Sequence, residues 1–151
     1  MSDRVDALVR RASTSDLHRV SDFDREIFGT YAYPYFILRQ FHELLPTALL
    51  IAEAGGSLVG YILAGSGAKT SQGWILSLAV APSYRRRGLG EQLVTEALSN
   101  MGETVSQTLL TVEPANTSAV RLYERLGFST VDDFPSYFGE GERRFVMCRR
   151  S

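Results

Sequence analysis

The stretch ILSLAVAPSYRRRGLGEQLV, Ile75 to Val94, joins an apolar run to a helical pattern through Pro82, Arg85-Arg86-Arg87 and Gly88-Leu89-Gly90. A strand that breaks at a proline and turns through glycines straight into a helix leaves few architectures open. Sheet and helix must then pack as layers around one core. From Gly88 to about Met101 the apolar positions are Leu89, Leu93, Val94, Ala97, Leu98 and Met101, which predicts a helix with one buried face. The first turn of such a helix leaves backbone N–H groups unpaired and carries about half a positive charge. Glycines ahead of it let those groups converge into a concavity that suits phosphate oxygens, and arginines add charge-assisted hydrogen bonds. The local chemistry asks for a phosphate, more naturally a pyrophosphate. A solvated turn that merely carries arginines is the alternative these residues leave open. A P-loop is excluded because no Gly-Lys-Ser/Thr ending is present, and a dinucleotide fingerprint because Leu93 stands where its third glycine belongs.

Around this turn the chain alternates strand and helix signals. Asp6 to Arg11 reads as a first strand, and Ser13 or Thr14 then caps a helix to about Phe28. A second short helix starts from Pro34, since proline is tolerated in a first helical turn. TALLIAEAGGSLVGYILAG is a hairpin around Gly55-Gly56, followed by a loop over Lys69 to Gly73 and a strand over Trp74 to Val80. Beyond the arginine turn come a strand over Gln107 to Val112 and an amphipathic helix bearing Ala119, Leu122, Tyr123 and Leu126. Gly127 is placed to end that helix, and ERRFVMCRR reads as a last strand. The order β-α-α-β-β-β-α-β-α-β-β implies a mixed sheet flanked by helices, an α/β or α+β layer structure. With 151 residues and no linker or repeat, residues 1–151 are expected to form a single domain.

Composition narrows the partners. A net charge of −1 gives the molecule no general reason to seek nucleic acid, so the arginine cluster is a local feature. The longest apolar run, Ala48 to Ala52, is far too short to span a bilayer, and MSDRVDALVRRAS lacks the apolar segment of a signal peptide. Cys148 is the only cysteine, which rules out an intrachain disulfide. His18 and His42 lie on different predicted helices without metal-ligand spacing, so no metal is expected. A cytoplasmic protein with no membrane or nucleic-acid partner is the expectation, as monomer or homodimer.

Arg85-Arg86-Arg87-Gly88-Leu89-Gly90, preceded by SLAVAP, resembles the Q/R-x-x-G-x-G/A signature of the GNAT superfamily of N-acetyltransferases. A second stretch, TVEPANTSAVRLYERLGF from Thr111 to Phe128, is similar to that family's later strand-and-helix segment, with Asn116 and Tyr123 at the matching positions. The two motifs stand in the family's order and cover roughly Leu49 to Phe128. The resemblance implies a mostly antiparallel sheet of six to seven strands, a splayed parallel central pair and about four helices. It implies acetyl-CoA as cosubstrate, its pyrophosphate held by Arg85, Arg86, Arg87, Gly88, Leu89, Gly90 and Glu91. Pantetheine would pair with the backbone of Leu78, Ala79 and Val80 like an added strand, and a backbone N–H there would polarise the thioester carbonyl.

Further roles come from the same resemblance. Asn116 would hydrogen-bond the pantetheine arm, although a plain helix N-cap accounts for it equally. Tyr123 would act as general acid toward the departing thiolate, where its spacing alone makes it a core aromatic. The family's usual base, Glu or His, is replaced by Thr111, and Trp74 stands where some relatives place a tyrosine. Glu113, two residues on and on the same face if the strand continues, is the candidate base.

Two further stretches resemble the protein N-terminal acetyltransferase branch, which includes the ribosomal-protein alanine acetyltransferases. AYPYF and SYFGEGERRFVM match its acceptor loops loosely, with Tyr33, Trp74 and Tyr137 as acceptor-binding residues. Phe138 replaces a tyrosine of that pattern, and a core or hairpin-edge role for these aromatics stays open. An α-amine with a pKa of ~7.8 is neutral about a tenth of the time at pH 7, whereas a lysine near ~10.4 is neutral only a few parts in ten thousand. The gap is worth about 3.5 kcal/mol, so a site without a strong base would sooner acetylate an α-amine. The alternatives are a small acceptor such as a polyamine, amino acid or aminoglycoside, and a coenzyme A-binding module without turnover.

Overall fold

The computed structural model of the protein describes residues 6–69 and 71–151. Met1–Val5, part of the stretch read above as lacking a signal-peptide core, and Thr70 of the predicted loop lie outside them. The described residues form β1 (Leu8–Arg11), α1 (Leu17–Phe28), α2 (Tyr35–Leu44), β2 (Leu49–Ala54), β3 (Ser57–Ser66), β4 (Gln72–Val80), α3 (Leu89–Met101), β5 (Gln107–Val112), α4 (Thr117–Arg125), β6 (Ser129–Phe134) and β7 (Arg144–Arg150). This is the expected element order. Boundaries move slightly: β1 starts at Leu8, β4 at Gln72, and α1 follows a short 3₁₀ turn over Thr14–Asp16.

Strand pairing gives a seven-stranded sheet in the order β1-β2-β3-β4-β5-β7-β6. Pairing is antiparallel for β1/β2, β2/β3, β5/β7 and β6/β7, and parallel for β4/β5. The expected mixed, mostly antiparallel sheet with a parallel pair and four helices is what the described residues form. The parallel register runs from Gln72 opposite Gln107 to Ile75 opposite Leu110, while β4 itself continues to Val80.

Chain contacts divide the molecule into two compact units, one reaching from the N-terminus to Gly65 together with Ser77–Asn100, the other comprising Ser66–Leu76 together with Met101–Ser151. In the first, Leu17, Val20 and Phe23 of α1 and Leu38 of α2 bury against Leu49 and Ile51 of β2, Tyr61 and Leu63 of β3, and Ala79 of β4. The i, i+3 spacing along α1 makes one apolar stripe, and truncating such a buried leucine to alanine typically costs about 2–5 kcal/mol. β2 and β3 meet through Gly55 and Gly56 with φ of +58° and +81°, Ala54 facing Ser57. Two left-handed residues in a two-residue loop match the strand twist, which is why this hairpin was legible. Arg10 and Arg19 each bridge Asp16 and Glu53 at 2.7–2.9 Å, joining β1, α1 and β2.

In the second unit β5 lies between the first half of β4 and β7, and β7 separates it from β6. Leu109, Val146 and Cys148 form a buried cluster with Trp74 packed on it. Gly127, at φ +93°, ends α4, and the Phe128 N–H then bonds the Tyr123 carbonyl at 3.0 Å. That left-handed stop turns the chain into β6, whose residues are all exposed.

Candidate active site

In the first unit the arginine turn has the backbone that its composition called for. Arg86 and Gly88 both adopt left-handed conformations, with φ of +62° and +82°. Gln92 N–H makes the first i→i−4 bond of α3, to the Gly88 carbonyl at 3.0 Å. The N–H groups of Leu89, Gly90 and Glu91 therefore precede any intrahelical partner and point out of the helix end. Alternating backbone hand just ahead of such a terminus builds an anion-binding concavity. Arg85, Arg86 and Arg87 are exposed around it. Arg85 donates from Nε to the Val80 carbonyl at 3.1 Å, and Arg87 lies over the Tyr84 ring at 5.6 Å. The donor set fits a pyrophosphate. Leu89 and Leu93 are buried beneath it, and Gly60 of β3 lies against them. A Cβ there would stand 3.0 Å from the Ala79 carbonyl oxygen and 3.2 Å from Leu93 Cδ1. The strand Leu78–Val80 and the base of α3 are thus set by the same close approach.

Tyr33 belongs to this unit too. It is half-buried, its ring edge-on to Phe41 at 5.9 Å, and its N–H donates to Asp24 Oδ2 at 2.7 Å. Burial, then the Asp24 charge, push its phenol pKa up. Asp24 is fully buried and also accepts from the Tyr61 hydroxyl, whose other neighbour is Ser77 Oγ at 2.7 Å. No local motif marks Asp24, Tyr61 or Ser77. The signal is positional: Asp24 stands one turn from Val20 and two turns from Leu17, on the apolar stripe of α1, where a charge has no business unless it is partnered.

In the second unit Asn116 caps α4, its Oδ1 accepting from Ala119 N–H at 3.2 Å. The residue is exposed and its amide N–H₂ makes no bond among the described residues, so capping and ligand contact are compatible. Tyr123 is buried, edge-on to Phe128 at 5.7 Å, and burial alone pushes its pKa up to about 12. Trp74 donates from Nε1 to Gln72 Oε1 at 3.3 Å. Tyr137 is partly exposed and makes edge contacts with Phe134 and Phe138 at 5.5 and 4.9 Å. Glu113 departs from the expectation: β5 ends at Val112, and Glu113 lies exposed in the turn whose carbonyl accepts from Asn116 N–H at 3.0 Å. Strand alternation therefore does not place it on Thr111's face. A pocket for polycations would draw on the carboxylates of the candidate loops, Glu113, Asp132, Asp133, Glu140 and Glu142; of these, Asp133 is paired with Arg143 at 2.6 Å and Glu142 with Arg144 at 3.3 Å.

Cys148 is buried in β7 and accepts from Gln107 Nε2 at 3.3 Å. Among the described residues no group of three or more His, Cys, Asp or Glu is arranged to hold a metal ion, and no helix is long and apolar enough to cross a membrane.

Comparison with known proteins supplies the context for this geometry. The model of the family described as acetyltransferase (GNAT) matches residues 13–128. An uncharacterised N-acetyltransferase of Methanocaldococcus jannaschii is 32% identical over 146 residues, covering 95% of this chain and 91% of its own length. A protein of Sulfurisphaera tokodaii named N-alpha-acetyltransferase is 28% identical over 152 residues, 93% of this chain and 90% of its own. Among solved structures, Ard1 from Thermoplasma volcanium superposes with a TM-score of 0.86 at 26% identity, covering 97% of this chain and 98% of that one.

Proposed function

The chain belongs to the acetyltransferase (GNAT) family and is an acetyl-CoA-dependent N-acetyltransferase, and on that premise we propose that its acceptor is the α-amine of a peptide or protein N-terminus. The observation that carries this reading is the match of nearly the whole chain to a protein named N-alpha-acetyltransferase. The pairing of Asp133 and Glu142 with arginines argues in the same direction, against a pocket built for polycations. On this reading residues 1–151 act as one catalytic domain.

Acetyl-CoA supplies the activated acetyl thioester. The amides of Leu89, Gly90 and Glu91, with Gly88 and the guanidiniums of Arg85, Arg86 and Arg87, would hold its pyrophosphate. The main chain of Leu78, Ala79 and Val80 would take the pantetheine arm, with the free amide of Asn116 as a side-chain donor. Tyr123 would face the sulfur. With its pKa near about 12, against ~8.5 for an ordinary thiol, full proton transfer from the phenol to a thiolate is uphill by about 5 kcal/mol. Its role is then to donate a strong hydrogen bond as negative charge develops on sulfur. Tyr33, Trp74 and Tyr137 would contact the acceptor, and Glu113 would be the carboxylate candidate on the solvent side for the amine's proton.

The test is release of free thiol from acetyl-CoA with a panel of N-terminal peptides and small amines. Peptides should be preferred in kcat/KM by at least about tenfold. Turnover confined to polyamines, amino acids or aminoglycosides would overturn the acceptor assignment.

A further inference from the structure

A fully buried carboxylate without a cation is costly, and an apolar residue of similar size at that place would pack better. Asp24 is such a carboxylate: no Arg, Lys or His pairs with it among the described residues, and its hydrogen bonds come from Tyr33 N–H and the Tyr61 hydroxyl. Because Tyr61 spends its only proton on Asp24, the 2.7 Å contact between Tyr61 and Ser77 has one possible direction. Ser77 must donate. The three residues thus form an ordered chain, Ser77 to Tyr61 to Asp24. It starts at a half-buried serine on β4, next to Leu78, and ends at a carboxylate inside the core.

We propose that Ser77, Tyr61 and Asp24 form the proton exit of the acetyl-transfer reaction, a directional relay from the coenzyme-bearing strand to a buried acceptor. The proposal rests on the reading above, which lays the pantetheine arm along the Leu78–Val80 strand, so that an amine attacking its thioester comes in beside Ser77. An ammonium beside Ser77 gives a proton to Oγ. Ser77 passes its own hydroxyl proton to Tyr61, and Tyr61 passes its own to Asp24. The amine is left with a free lone pair, Asp24 becomes a neutral acid, and neither hydroxyl changes its net state. Attack on the thioester then forms the N–C bond and breaks the C–S bond, and the nitrogen's second proton goes to the leaving sulfur. The proton on Asp24 returns along the same chain to water at Ser77, so each turnover releases one proton to solvent.

The electrostatics agree with this direction of flow. Burial pushes the Asp24 pKa above the ordinary carboxylate range, and the bonds from Tyr61 and the Tyr33 N–H pull it only partly back. The titratable groups facing it are the Tyr61 and Tyr33 phenols, both pushed upward first of all by burial and so neutral across the working range. A tyrosinate is inaccessible at Tyr61, so the relay has to be concerted. The role resembles that sought for Glu113, but the carboxylate is reached through the core instead of from solvent.

The decisive measurement is kcat against pH under saturating acetyl-CoA and acceptor, for wild type, Tyr61→Phe, Asp24→Asn, Ser77→Ala and the Asp24→Asn/Tyr61→Phe double variant. Each single change should lower kcat by about 10²-fold, with coenzyme affinity by calorimetry within about twofold. Tyr61→Phe and Asp24→Asn should both lose the acid limb of the profile, and the double variant should be no slower than the slower single. A purely structural Asp24, anchoring the Tyr33 loop, would instead raise the acceptor KM and leave the limb in place. That result overturns the relay. So does wild-type kcat in a folded Tyr61→Phe, or loss of the limb in Glu113→Gln while Asp24→Asn keeps it. Should Asp24→Asn not fold, Tyr61→Phe and Ser77→Ala decide the matter. If wild type turns over only a small amine, the acceptor reading has failed, and the same variants on that amine still decide the relay.

Discussion

Gly88 offers the sharpest single perturbation of the donor site. Its φ of +82° lies where an L-residue is strained by about 1–2 kcal/mol, so Gly88→Ala has two ways to respond. The turn can keep its shape and lose that amount of stability. Alternatively the backbone can relax to negative φ, which rotates the Leu89 amide out of the concavity ahead of α3. Coenzyme binding then has to restore the strained turn, and the same 1–2 kcal/mol appears as a roughly 5- to 30-fold rise in Kd. Gly102 supplies the control. It has a closely similar φ of +85°, and a Cβ there would meet nothing within 4 Å. Gly102→Ala should lower Tm comparably and leave coenzyme affinity untouched. The assay is isothermal calorimetry with coenzyme A and acetyl-CoA on both variants, paired with thermal unfolding. An unchanged Kd in a Gly88→Ala that also keeps the wild-type Tm, so that the turn has relaxed without cost to binding, or an equal rise in Kd in Gly102→Ala, would refute the assignment of the turn to the pyrophosphate.

Three more outcomes follow from the geometry. Tyr123→Phe keeps the ring against Phe128 and removes only the hydroxyl, so stability should hold within about 0.5 kcal/mol while kcat falls by about 10²-fold; an unaltered kcat takes the phenol out of the chemistry. Gly60→Ala forces a Cβ to 3.0 Å from the Ala79 carbonyl, an overpacking cost of about 1–3 kcal/mol that should lower Tm and weaken coenzyme binding together. Normal binding in a destabilised Gly60→Ala would show that β4 and the α3 base are not held by that contact. Asp16 is held well below the usual carboxylate range by the Arg10 guanidinium foremost, against the opposing effect of burial. Its folded pKa is depressed, so its stabilisation is present above the unfolded value near ~3.9 and is lost as pH falls through and below it. The gap in urea midpoint between wild type and Asp16→Asn should therefore be widest near pH 7 and close toward pH 2; a gap independent of pH would contradict the pairing.

Much of this molecule could be read from local rules. A two-residue glycine loop between apolar runs specifies a hairpin, a glycine after an amphipathic run specifies a helix stop, and arginines with glycines at a helix mouth specify an anion site. Each depends on backbone conformation and period within a few neighbouring residues, so the hairpin at Gly55-Gly56, the stop at Gly127 and the concavity at Gly88 were all visible in the chain. What the chain alone did not disclose were relations between distant segments. β7 enters the sheet between β5 and β6. Arg143 of the last loop reaches back across ten positions to neutralise Asp133 on β6. Glu113 falls just past a strand end, where the alternation that would have aimed it no longer applies. Above all, Asp24 from a helix meets a tyrosine 37 positions away, which in turn meets a serine 16 positions further on. Such bonds have no local signature. A buried carboxylate is tolerable only once tertiary packing has brought its donors to it, and packing is decided by the whole core at once.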